Sequence, residues 1–237
     1  MNDNFTYKSY LYMLKKLKTT YDLVGFDDAY KKIKQNEDFF AVVRHDIDLD
    51  LDKALILAEL EAKLDIKTTY FILLTTDAYN PLSIYNRNII LNIFSLGHEI
   101  GLHFNPLVYD NISWGLNQEI SIIENLINSN VKAISYHRHG SLSNSFDVDG
   151  DFLDVTKPPF FNDKMKYFAD SHGEWRFGNP IDSKEFKMGY PLHICFHPIW
   201  RSEKQSSILS IIDNFLFIKA YYLEKFVKYD ILDMEIK

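Results

Sequence analysis

The sequence predicts an α/β fold of parallel strands, either a barrel or a doubly wound sheet, on three observations. Short apolar runs rich in β-branched and aromatic residues alternate with amphipathic stretches of helical length. The candidate strands end, one after another, in histidines and acids: His45-Asp46-Ile47-Asp48, His103, His137-Arg138-His139, Asp170-Ser171-His172 and His197. The 237 residues, 46% apolar and 15% aromatic, can bury one large core, and no Pro/Gly/Ser-rich linker divides them.

Each element follows from a local pattern. "YKSYLYMLKKLK" (7–18) is amphipathic and reads as a surface helix ahead of the core, within a helical extension over residues 1–38. Phe39 to Val43 is a compact apolar run, hence a buried strand. After the acids, Ala54, Leu57, Leu60 and Leu64 recur at helical spacing, Glu59 and Lys63 form an i,i+4 pair, and Asp50 or Asp52 is available as N-cap. Further strands are expected over 66–74, 98–104, 131–137, 164–170 and 190–198, the last cut off by Pro198, and helices over 86–96 and 114–130. From Ser202 onward, Ile208, Ile212, Phe215, Tyr222 and Phe226 mark a long closing helix, taking the single domain over 1–237 with 202–237 as its C-terminal piece.

Composition excludes several classes. A formal charge of −7 without a long Lys/Arg run is not the footprint of a nucleic-acid binder. The single cysteine, Cys195, rules out an internal disulfide and a multi-cysteine zinc site, so any metal must be held by His, Asp or Glu. The N-terminal stretch lacks the apolar core of a signal peptide, and no segment has about 18 consecutive apolar residues, so no transmembrane segment is expected and the expected location is cytoplasmic.

The strand-end residues carry the chemistry. In β/α barrels, active sites assemble at the C-terminal rim of the strands, and ligand-type and acid/base residues gather there in this chain. Residues i and i+2 of a strand share a face, so Asp46 and Asp48 can address one ion, whereas His98 and His103 face opposite ways and the strand-ending His103 is favoured for the site. His137 and His139 share a face, as do His193 and His197. "DIDLDLD" is not an EF-hand loop, since Leu51 or Lys53 stands where the required glycine would be. Asp50 and Asp52 suit a helix N-terminus, "DVDGD" (147–151) a solvated loop, His98 and His193 the core, and Trp114 helix packing.

These residues resemble the motifs of the polysaccharide deacetylases of the NodB-homology type, metal-dependent hydrolases on a distorted (β/α) barrel. "RHDID" looks like the first motif with its two acids one residue apart, "GHEIGLH" (97–103) the second, "SYHRHG" the arginine motif, "ADSHGEW" (169–175) the Asp/Trp motif and "LHICFHP" the last histidine motif. The likeness runs from Val42 to Trp200, and the H-D-x-D form resembles a subgroup associated with bacterial surface-glycan synthesis, including O-antigen and lipopolysaccharide precursors.

The resemblance implies a distorted barrel of about seven parallel strands and a divalent metal of zinc type. It implies Asp46 as general base, Asp48 and His103 as ligands, Arg138 paired with Asp46, Asp170 orienting the acid, Trp175 as an apolar wall for the acyl methyl, and His197 as the acid that protonates the leaving amine. The family's second ligand histidine falls at Leu107, and His137, at the end of the neighbouring strand, is offered as the substitute. The expected activity is removal of an acetyl or formyl group from an N-acylated sugar, with a glycan or small-molecule substrate. The alternatives are a catalytically silent relative that binds a glycan or a partner enzyme, and another metal hydrolase on a barrel. The latter typically opens with H-x-H, where this chain has His45-Asp46.

Overall fold

A computed structural model of the chain describes residues 5–138, 150–161 and 163–231. Its centre is a curled parallel sheet whose strands run in the order β6-β5-β4-β3-β2-β8-β7, a half-barrel consistent with a distorted (β/α) barrel. The strands are β2 (Phe40–Ile47), β3 (Thr69–Ile72), β4 (Glu99–Phe104), β5 (Ala133–Tyr136), β6 (Leu153–Asp154), β7 (Lys166–Ala169) and β8 (Leu192–Phe196), with β1 (Asp22–Leu23) pairing beside β2. Helices α3 (Leu51–Ala62), α4 (Ile84–Ser95) and α5 (Ile112–Ile127) are the crossovers between β2, β3, β4 and β5.

Register places the functional side chains. On β2, Ala41, Val43 and Ile47 point outward into helix-packed clusters, while Phe40 and Val42 point inward with Phe71, Ala133, Val155, Phe160 and Met165. The inward column of β2 therefore reads Phe40, Val42, Arg44, Asp46, turning from apolar floor to charged rim. Gly101 faces the same interior: a Cβ there would lie 2.6 Å from the Phe71 ring and 2.8 Å from the Ala133 carbonyl, so only glycine leaves room for the floor to pack.

Some elements differ from the sequence reading. α1 (Tyr7–Thr20) is not a surface appendage; it buries Tyr10, Met13, Leu14 and Leu17 against Ala41, Val43, Ile194 and Phe196 on the outside of the sheet. α2 (Phe26–Lys34), which falls in the expected helical extension over 1–38 without having been singled out there, sends Phe26 and Ala29 into the barrel floor. β6 and the short α6 (Lys184–Met188) were not anticipated. The closing helix, α7 (Ile208–Phe226), buries Ile211 and Phe215 but leaves Leu209, Leu216, Phe217 and Leu223 exposed. No helix among the described residues is long and apolar enough to cross a membrane.

Candidate active site

Asp50, the first of the two N-cap candidates, caps α3 by accepting from the Lys53 amide at 3.1 Å, while Asp52 accepts a hydrogen bond from the Tyr85 hydroxyl. That leaves Asp46 and Asp48 for the rim. His45, between Arg44 and Asp46, faces outward by parity. It is fully buried with its Nε2 2.7 Å from Glu61 Oε1 and its ring stacked on Tyr70, so it takes no part in the cavity.

A cavity of about 820 Å³ opens at the C-terminal rim, with Asp46, Asp48, His103, His137 and His197 in its wall. Asp48 Oδ1 lies 3.2 Å from His103 Nε2 and 3.4 Å from His137 Nδ1, and the two imidazole nitrogens are 3.1 Å apart. His103 Nδ1 is 3.0 Å from the Ser135 carbonyl, an acceptor, so Nδ1 carries the proton and Nε2 offers its lone pair to the cavity. Ligands held tetrahedrally at about 2.0–2.1 Å from a zinc-type ion stand about 3.3 Å from one another. The three donor atoms have that spacing, and Asp48 Oδ1 is buried with no hydrogen-bond partner, so the donor set fits a divalent cation.

A second grouping, Asp46, Cys195 and His197, also has three donor atoms within 4.8 Å of one another. Burial pushes the Cys195 thiol pKa well up, with the Asp46 charge adding to the rise.

Asp46 is 4% exposed and would be costly as an isolated charge. Arg44, two residues earlier on the same face, places Nη2 3.2 Å from Asp46 Oδ2 and donates from Nη1 to Ser135 Oγ at 2.9 Å. Burial alone would raise the Asp46 pKa, but Arg44, then His103 and His197, bring it below the ordinary carboxylate value. Asp46 Oδ1 has no hydrogen-bond partner among the described residues, leaving one oxygen able to accept a proton.

His197 faces Asp48 across the cavity, Nε2 to Oδ2 at 3.9 Å. Behind it, fully buried Asp170 accepts from the His197 backbone amide at 2.8 Å and from Nδ1 at 2.9 Å, and its second oxygen accepts from Arg201 at 3.0 Å. Burial pulls the imidazole pKa down, but the hydrogen bond and charge of Asp170, then the charges of Asp48 and Asp46, overcome this and push it up to about 9. His103 is also raised: burial lowers it, and Asp46 and Asp48 prevail.

The structure thus brings together Asp46, Asp48, His103, His137, His197 and Asp170. Two expected roles are corrected. The guanidinium beside Asp46 is that of Arg44; Arg138 is exposed, with φ +54°, on the turn after β5 and lines the outer cavity wall. Trp175 packs behind β8, its ring 5.5 Å from that of outward-facing Phe196, so the sheet separates it from the cavity, and the nearby aromatic wall comes from Phe161, Tyr167, Phe177 and Trp200. Leu107 is 64% exposed in a 3-10 turn. His139 and most of "DVDGD" lie outside the described residues. The reading missed Arg44, although its parity with Asp46 was a usable signal; Ser135 and Arg201 carried none, because their roles depend on strand neighbours distant in sequence.

No protein-family model matches the chain, and no curated protein matches it. Among solved structures, it is similar to a Streptococcus pyogenes deacetylase, PplD, in complex with acetate, at 17% identity and a TM-score of 0.42, covering 54% of this chain and 60% of that one. It is also similar to IcaB from Ammonifex degensii, at 12% identity and a TM-score of 0.44, covering 54% and 65%. A third is the chitin deacetylase of the fungal pathogen Colletotrichum lindemuthianum, at 12% identity and a TM-score of 0.45, covering 76% and 81%. The chain therefore spans less than two thirds of the first two proteins.

Proposed function

We propose that this protein is a metal-dependent hydrolase that removes an acetyl or formyl group from an N-acylated sugar. The observation that carries the reading is one constellation: a three-donor set, Asp48, His103 and His137, flanked by a buried ionised carboxylate, Asp46, and by a protonated imidazole, His197. When bound, a divalent ion of zinc type supplies Lewis acidity, acidifying water from about 15.7 towards about 7 and drawing charge from an acyl carbonyl. Asp46 accepts the proton of the attacking water at its unpartnered oxygen while Arg44 and Ser135 hold the other. As the carbon–nitrogen bond breaks, His197 passes a proton to the departing amine, which leaves poorly without it, and Asp170 holds the ring in place. The products are a free amino sugar and a carboxylate, so the atoms of one water are consumed.

The sugar would sit against Trp200, Phe161 and Phe177, with the small acyl group against Leu49 and Ile199. Arg138 and Arg176 on the same wall suit a phosphate, as in a nucleotide- or lipid-linked precursor of a surface glycan. Asp46→Asn, assayed on N-acetylated and N-formylated sugars and sugar phosphates, should lose hydrolysis by at least about 10²-fold while retaining one bound zinc; full activity would end the reading. Exposed Leu107, where the resembling motif has a ligand, motivates the second reading of a sugar-binding but silent protein. A metal-free protein that binds the sugar without turnover would favour it.

A further inference from the structure

Among the described residues, α7 is the helix with the most uncovered apolar surface. It is fastened by Ile211 and Phe215, which pack with Ile199 and border Leu49 and Trp200 of the cavity wall. About 120° round the helix from that anchor, at about 100° per residue, stand Leu209, Leu216 and Leu223, 76%, 56% and 63% exposed. These leucines are one heptad apart, Ala220 falls between Leu216 and Leu223 with the alternating spacing of a coiled-coil seam, and Val227 continues the spacing at the first residue of the π-helical stretch that follows α7.

We propose that α7 pairs in parallel with α7 of a second copy, making this protein a dimer through its leucine row. With the leucines at the d positions, Lys219 takes a g position and Glu224 the e position of the following heptad. In a parallel pair each Lys219 then meets Glu224 of the other copy, twice by symmetry, so the flanking charges complement the same helix. Glu224 is engaged within the helix by exposed Lys228, a surface pair worth little and easily exchanged. Asp213 is the polar residue of the row; at an inward position it lowers stability and selects register. A lipid surface is the poorer occupant, because an interfacial helix needs a cationic polar face and the charges of α7, Asp213, Lys219, Glu224 and Lys225, cancel. The anchor faces away from the seam, so the two domains clear each other while their α7 helices brace Ile199 and Trp200 of each cavity.

Sedimentation equilibrium of the full chain at micromolar concentration should give a dimer, and L216E/L223E a monomer with unchanged far-ultraviolet circular dichroism. Lys219→Glu and Glu224→Lys should each weaken the dimer about tenfold, by bringing like charges together, and the double exchange should restore it. A monomeric wild-type chain overturns the proposal, whether or not it floats with phosphatidylglycerol vesicles. So does a dimer that is indifferent to the leucine changes, or one that the double exchange does not recover.

Discussion

Asp170→Asn isolates the group that sets the protonation of His197. In the folded chain His197 is pushed up to about 9 from its ordinary 6.5, a difference worth about 3 kcal/mol. Since the folded-state pKa is the higher one, this stabilisation is fully present below about pH 6.5 and is lost as pH rises through about 9. The hydrogen bond and charge of Asp170 are the largest raising influences, with Asp48 and Asp46 behind them, so Asn should lower the His197 pKa by at least about one unit, or about 1.4 kcal/mol. The substitution also removes a buried counter-charge of Arg201 at 3.0 Å, but the guanidinium does not titrate in this range and the cost is the same at every pH. The assay is urea unfolding of metal-free wild-type and variant protein between pH 6 and 9.5, with His197 followed by imidazole NMR. Wild type should lose stability over this interval and the variant should show a flatter profile at lower overall stability. Equal slopes, or a wild-type His197 titrating below pH 7, would refute the reasoning.

Other outcomes follow from the same geometry. Arg44→Gln leaves Asp46 without its buried counter-charge, so the acidic limb of activity should move to higher pH and turnover at pH 7 should fall by about 10²-fold with zinc stoichiometry unchanged; an unshifted limb would count against Arg44. Glu119 is held by burial at about 7, offset in part by the Tyr109 hydroxyl; its folded-state pKa is raised, so wild type should lose about 3 kcal/mol as pH climbs from about 4.5 to 7. Glu119→Gln should abolish that slope in pH-dependent melts. Trp175→Ala should lower stability by about 1–3 kcal/mol through lost packing of this half-buried ring on Phe196, with KM for the sugar unchanged in the folded fraction.

Much of the site was legible because strand parity and strand order act at short range. Asp46, Asp48, His103, His137 and His197 each stand within one residue of the C-terminal end of a strand, and a parallel sheet brings such ends together whatever the details of the loops. What was not legible depended on the other side of the sheet or on non-local neighbours. Trp175 follows a motif aspartate, but the 3-10 turn at Ser171–Gly173, with His172 at φ +62°, directs the chain behind β8. Arg138 is adjacent in sequence to ligand candidate His137, yet the turn after β5 carries it outward and β2 supplies the guanidinium from within. α2 was not singled out within the 1–38 extension although Phe26, Ala29, Tyr30 and Ile33, all packed on the barrel floor, recur at helical spacing. The apolar row of α7 was readable as helix but not as uncovered surface, since periodicity does not say which side a neighbour covers.

The central claim is that Asp48, His103 and His137 hold one divalent ion. Zinc titration by calorimetry on the metal-free chain, beside His137→Ala and His103→Ala, tests it directly. One ion per wild-type chain, with affinity reduced at least about 10²-fold in each variant, is the result expected; a His137→Ala chain that binds zinc as tightly as wild type would contradict it.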